Sequence, residues 1–127
     1  LLHENGINRV CFDSRALFSR PAKSEAEQDA HRKKPRLPVH AIATATRPIV
    51  RFIGSSDLQH NQQYLLAWVK KLSQWQQQGI SPLVFIHTPD NIAAPEQAVS
   101  FHQLLSDVPG WRPLSKSIKN ETQLAIF

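Results

Sequence analysis

Hydrophobic and polar positions along the chain alternate between two rhythms. Three short runs are apolar at nearly every position and read as strands: residues 7–12 (INRVCF), 49–53 (IVRFI) and 82–86 (PLVFI). Each empties into a polar cluster, namely Asp13-Ser14-Arg15, Gly54-Ser55-Ser56-Asp57 and His87-Thr88-Pro89-Asp90. Between and after the later runs the apolar period lengthens. Leu58, Leu65, Trp68, Val69, Leu72 and Trp75 recur at helical spacing over residues 57–78, with Ser56 or Asp57 as the cap and Gly79 as the stop. A second amphipathic helix opens at Ala94-Pro95-Glu96 and carries Ala98, Phe101, Leu104 and Leu105 on one face until Pro109-Gly110. Two tryptophans on the first stripe are expected in the core rather than in a base-stacking platform.

Other parts of the chain carry a weaker signal. Residues 19–47 read as an irregular basic loop insertion, in which 24–34 (SEAEQDAHRKK) form at most a short helix capped by Ser24, polar nearly all round. Pro35, Pro38 and Pro48 break helices around 39–46 (VHAIATAT), at best a short extended piece. Residues 111–127 form a C-terminal tail, basic in its middle. The opening LLHENG reads as the last turn of a helix stopped by Gly6, which implies a preceding segment.

Near-continuously apolar strands that alternate with amphipathic helices imply a parallel sheet covered by helices, an α/β fold. The two clear strand-to-helix units begin about 34 residues apart, near 48 and 82, a spacing that suits a doubly wound sheet or a (β/α)₈ barrel. Three strands cannot close a barrel. A barrel would therefore need strands beyond these 127 residues, from a missing N-terminal half.

Composition narrows this little. At 41% hydrophobic and 20% charged residues the chain lies near average for a globular domain, which argues against a disordered or membrane-spanning protein. A lone Cys11 excludes an internal disulfide and fits a cytoplasmic protein. The net charge of +5 permits an anionic partner without requiring one. Its densest segment holds Arg32, Lys33, Lys34 and Arg36, a basic patch that suits nucleic acid, another acidic partner or simple solvation.

The spaced motifs DSR (Asp13 to Arg15), RKKP (Arg32 to Pro35) and RFIG (Arg51 to Gly54), with PLVFIHTPD after them, resemble the C-terminal part of the YecE-like family, domain of unknown function 72. The resemblance covers essentially the whole chain. It implies a (β/α)₈ TIM-type barrel in the complete protein, with this chain supplying about three parallel strands and their covering helices, and a family without a settled biochemical activity. Many members have Arg-Leu-His-Gly where Arg51 to Gly54 stand and Phe-Asn-Asn-Asp near Phe85 to Asp90. Here Ile53 replaces that histidine, and Ile86 to Pro89 replace the asparagines, while Arg51 and Gly54 match.

In a barrel the C-terminal ends of the strands line the mouth where chemistry is done. Catalytic candidates are then Asp13, Arg51, His87 and Asp90. Strand alternation sets Arg51 on the face opposite Val50 and Phe52, so it points into the barrel if those two lie under helices. A guanidinium keeps its proton and needs a partner when buried. Two partners are expected: a carboxylate or phosphate of a ligand, helped by backbone N–H groups of Gly54, Ser55 and Ser56, or an internal ion pair with Asp13 or another carboxylate. Asp13 itself reads as a general base, a metal ligand or, by preference, the counter-ion of Arg15 or Arg51. His40, His87, Asp13 and Asp90 lack the tight spacing of a zinc site, so no metal is assigned and no cofactor is identified. Cys11, between Val10 and Phe12, reads as a small buried apolar residue. No phosphate-loop, serine-elbow or dinucleotide motif is present. Two functions stay open: a barrel acting on or binding an anionic, phosphate-bearing ligand, and a non-catalytic module that binds nucleic acid or protein through its basic loop and tail.

Overall fold

The computed structural model describes residues 1–111. Three parallel strands, β1 (Val10–Asp13), β2 (Ile49–Ile53) and β3 (Leu83–His87), form one sheet in the order β1-β2-β3. Helices α1 (Arg15–Phe18) and α2 (Glu25–Lys33) follow β1, α3 (Leu58–Gln77) follows β2 and α4 (Ala94–Leu104) follows β3. The parallel α/β order read from the periodicity is thus the observed one. The expected tail lies, from residue 112 on, outside the described residues.

Register divides the strand residues between two faces. Cys11, Val50 and Val84 lie side by side on one face, followed by Asp13, Phe52 and Ile86. Against this face α3 lays Leu65, Trp68, Leu72 and Trp75, the stripe that its spacing predicted, and α4 adds Phe101. Cys11, Val50, Phe52, Leu65 and Leu72 are almost completely buried there. Both tryptophans are core residues, as expected, with 2–3% of their surface exposed.

On the other face Val10, Ile49 and Leu83 form one row, and Phe12, Arg51 and Phe85 the next. None of the described helices covers these rows, and Val10, Leu83 and Phe85 are 50%, 43% and 51% exposed. Only the C-terminal end of this face is closed. There Ile53 is fully buried in a small second cluster with Leu17 of α1 and Ala30 of α2, flanked by Phe12 and Phe18.

The segment between β1 and β2 is more ordered than its composition suggests. Ser24 caps α2, its hydroxyl accepting from Glu27 N at 3.1 Å, and the C-terminal turn of the helix is basic, which suits the helix dipole. Although polar nearly all round, α2 buries Ala30 and Glu27. Residues 39–43 form no strand; instead Val39, Ala41 and Ala43 pack onto the main core, and Cys11 Sγ lies 3.7 Å from the Ile42 carbonyl. Upstream, Gly6 at φ 65° ends a helical turn: Ile7 N donates to Leu2 O and Gly6 N to His3 O, the pair of bonds that closes a Schellman motif.

Candidate functional site

Asp13 closes β1 on the covered face, and its partners are all nearby in space. Arg15 grips it with two side-chain bonds, Nε to Oδ1 at 3.0 Å and Nη2 to Oδ2 at 2.9 Å, while the Arg15 backbone N also donates to Oδ1. Trp68 of α3 donates its indole N–H to Oδ2 at 2.7 Å. The carboxylate is completely buried and anchors the helix to the strand. Arg15 also lies over the Tyr64 ring, 5.4 Å from its centroid, and the Asp13 bonds favour its charged form most. Of the roles open to Asp13, counter-ion of Arg15 is the one its surroundings describe. The expected Asp13–Arg51 pair does not form, because the two side chains leave the sheet on opposite faces.

Arg51 therefore stands apart. Flanked in register by Phe12 and Phe85, it is partly buried, and its guanidinium lies 5.5 Å from the Phe12 ring centroid. Among the described residues no carboxylate comes within ion-pair distance of it.

The turn after β2 is tied up internally. Gly54 N donates to His87 O at 2.8 Å, continuing the sheet, and Ser55 N donates to Asn61 Oδ1 at 2.9 Å. Asp57 is the N-cap of α3 and accepts from His60 N; that bond, followed by Arg20, holds its carboxyl below the usual range. The donors of Gly54 and Ser55 that an anion cradle needs are thus already in use, and Ser56 beside them is exposed. Asn61 is the residue that spacing alone overlooked. It continues the Leu65-Trp68-Leu72 stripe by one turn, fully buried, and its amide also bonds Ser55 O and Gln97 Oε1 of α4 at 3.0 Å each. A polar residue at an apolar position of the stripe was the signal. A Cβ on Gly54 would come within 2.5 Å of the Asn61 amide nitrogen, which explains the glycine.

At the end of β3, His87 shares the open face with Arg51, one residue pair further along. Its Nε2 is shut off from solvent and has no hydrogen-bond partner. Burial lowers the His87 pKa, Arg51 and then Lys34 lower it further, and a side-chain hydrogen bond with Asn91 opposes them. Asn91 sits at φ 63°, a left-handed conformation that asparagine tolerates, with its Oδ1 accepting from Thr88 N. His87, Asp90, Asn91 and Ile92 line a groove of about 600 Å³ with Ala94 and Ala98 of α4. Asp90 Oδ1 caps the turn by accepting from Ile92 N at 3.0 Å.

Lys34 reaches this end of the sheet because Ser14, directly after β1, donates its hydroxyl to Pro35 O at 2.9 Å. The other patch residues turn elsewhere: Arg32 and Lys33 both pair with Asp29, and Arg36 lies over the Phe18 ring. Nearby, Ser19 Oγ and His60 Nε2 stand 2.6 Å apart, outwardly a nucleophile and its base. Their hydrogen bonds run the wrong way. Ser19 donates its proton to Ala16 O, and the Gln63 amide faces His60 Nδ1, so Nε2 holds the proton and donates to the serine. Among the described residues no three His, Cys, Asp or Glu side chains converge as a metal site, and His40 is exposed and lines a different groove from His87, with Arg9, Val10 and Phe12. None of the described helices is long and apolar enough to cross a membrane.

The family model described as "Protein of unknown function DUF72" matches residues 1–120. The chain belongs to the DUF72 family. Among its relatives, the UPF0759 protein YecE of Escherichia coli K12 and that of Escherichia coli O157:H7 are each 50% identical to it over 95 residues, 75% of this chain. The match spans only 35% of each relative. No solved structure matches the chain. Family membership agrees with the resemblance carried by the DSR, RKKP and RFIG motifs.

Proposed function

We propose that this DUF72 chain is one part of a (β/α)₈-type barrel, that its uncovered sheet face is the inner wall, and that an anionic ligand is held at the strand ends by Arg51. Lys34 adds charge from the end of α2, and His87 and Asp90 form the polar rim. The single observation that supports this most is Arg51 itself: a partly buried guanidinium, on the open face, with an aromatic ring beside it and no carboxylate in reach among the described residues. A cation in that setting recovers most by meeting an oxyanion, because guanidinium and oxyanion form paired charge-assisted bonds. Helix-covered parallel strands with one face left apolar favour closure by further strands, and the relatives have the length to provide them.

The nucleic-acid reading has less support, since Arg32 and Lys33 are drawn to Asp29 and Arg36 to Phe18. Calorimetric titration with inorganic phosphate and with sulfate tests the anion reading. Binding of at least one of them, weakened about tenfold or more in Arg51→Met, is expected. Equal binding by wild type and Arg51→Met would remove Arg51 from the site, and binding of neither anion would remove the site itself.

A further inference from the structure

Arg51 and Lys34 approach the strand ends from two different elements. Arg51 stands in the middle of β2, and Ile53, two residues on and on the same face, packs with Ala30 of α2. Lys34 follows one turn after Ala30 on that side of the helix, half-buried, and the bond from the buried Ser14 hydroxyl to Pro35 O, 2.9 Å, fastens the next residue to the end of β1. Among the described residues neither cation has a carboxylate within ion-pair distance, and Asp29 of α2 is taken by Arg32 and Lys33. Glu27, buried on the same side of α2, lies two turns from Lys34 at the N-terminal end, where the helix dipole suits it. Asp90 is exposed and bound into its own turn through Ile92 N. His87, held below its ordinary pKa first by burial and then by Arg51 and Lys34, adds no charge at neutral pH. The described residues thus leave two positive charges at the strand ends without a counter-ion.

Resting on the anion reading above, we infer that the ligand presents a doubly charged terminal phosphoryl group, rather than a simple carboxylate or the singly charged phosphodiester of a nucleic-acid backbone. The two cations differ in what they take. A guanidinium pairs its planar fork with two oxygens, whereas an ammonium is a point charge that takes one. A carboxylate spends both of its oxygens on Arg51 and leaves none for Lys34. A terminal phosphoryl group has three and carries close to two charges, so two oxygens meet Arg51 on the strand and the third meets Lys34 at the end of α2. A phosphodiester has only two unesterified oxygens and one charge. Ser14 is then a positioning residue, which touches no ligand but sets where the second charge stands. The same chemistry comes from free phosphate or from a phosphate monoester.

Calorimetric titration of the whole chain with methyl phosphate, dimethyl phosphate, acetate and inorganic phosphate tests the inference at about pH 8, where a monoester is almost wholly doubly charged. Methyl phosphate is expected to bind about tenfold or more tighter than dimethyl phosphate or acetate in the unaltered chain, a comparison that needs no variant to fold. In Lys34→Met the advantage over dimethyl phosphate is expected to disappear. Its retention there would trace it to the bulk of the second methyl group and overturn the inference. Ser14→Ala is expected to lose part of the same advantage, and to lose nothing further when Lys34→Met is already present, a coupling that a merely structural role would not produce. Equal affinity for methyl and dimethyl phosphate, both dependent on Arg51, overturns the doubly charged ligand while the anion site stands; binding of none of the four overturns both. Competition between inorganic and methyl phosphate identifies a monoester as the source, and binding of inorganic phosphate alone, with the same dependence on Lys34, identifies the free ion.

Discussion

The two faces of the same three-stranded sheet have opposite fates. On one, Cys11, Val50 and Phe52 are 0–1% exposed beneath α3 and α4; on the other, Val10, Leu83 and Phe85 are about half exposed although just as apolar. The strand composition does not distinguish them. What differs is the supply of covering elements: α3 and α4, which follow β2 and β3, return over one face, whereas α1 and α2, which follow β1, close only the C-terminal end of the other. The charged strand residues sort the same way. Asp13 enters the covered face and is saturated by Arg15 and Trp68, whereas Arg51 enters the open face and, among the described residues, meets the Phe12 ring and no carboxylate. A charge on the covered face is thus structural, and a charge on the open face is free to be functional.

This contrast is breakable by substitution. Phe52→Ala on the covered face is expected to cost about 3–5 kcal/mol, enough to unfold a marginal domain. Phe85→Ala, one position along on the neighbouring strand but on the open face, is expected to cost under about 1 kcal/mol in the isolated chain. Denaturant midpoints of the two variants compare them directly, and equal losses would mean that the open face is packed after all. Asp13→Ala leaves the Trp68 indole N–H and the Arg15 guanidinium without their partner and is expected to cost about 1–3 kcal/mol, visible also as a change in Trp68 emission. Gly54→Ala forces a Cβ against the Asn61 amide, which is itself fastened on three sides, and a loss of about 1–3 kcal/mol is expected in the same assay.

Smaller effects sharpen the contrast through titration. Burial raises the Cys11 thiol pKa above 9.0, so the thiol is expected to ignore a thiol reagent at neutral pH until the covered face unfolds. On the open face, His87 is held below its ordinary 6.5 by burial and by Arg51 and Lys34. Folding therefore binds fewer protons at this group than the unfolded chain does. Its contribution to stability is full above pH 6.5 and is lost as the pH falls through the lower folded value. An NMR titration of the ring is expected to give a midpoint below 6.5 that rises in Arg51→Met; an unmoved midpoint would separate the two side chains.

How much of this was legible in the sequence follows the same division. The α3 stripe and the three strands were readable because periodicity reports burial, and burial dominates their packing. Arg51 was readable as an interruption in an apolar run. Asn61 and Gln97 were not singled out, although each occupies an apolar-phase position of its helix, because their pairing across 36 residues is a property of the packed helices. The Trp68–Asp13 bond was hidden for the same reason: spacing placed the indole in the core but said nothing of what its N–H would meet. In the segment 19–47 the short helix capped by Ser24 was legible and is α2; what its low hydrophobicity concealed is how it docks, through Ala30 and through the Ser14–Pro35 bond at its far end. The gripped state of the Gly54 turn was equally invisible, because a turn before a helix looks the same whether its N–H groups are free or bound.

We propose above that the open face is an inner wall. Its most direct measurement is the reactivity of a single thiol at position 85, Phe85→Cys with Cys11→Ala, in this chain alone and in the same chain joined to the rest of a polypeptide of the relatives' length. Rapid labelling is expected in the isolated chain and strong protection in the longer one. Equal, rapid labelling in both would contradict it.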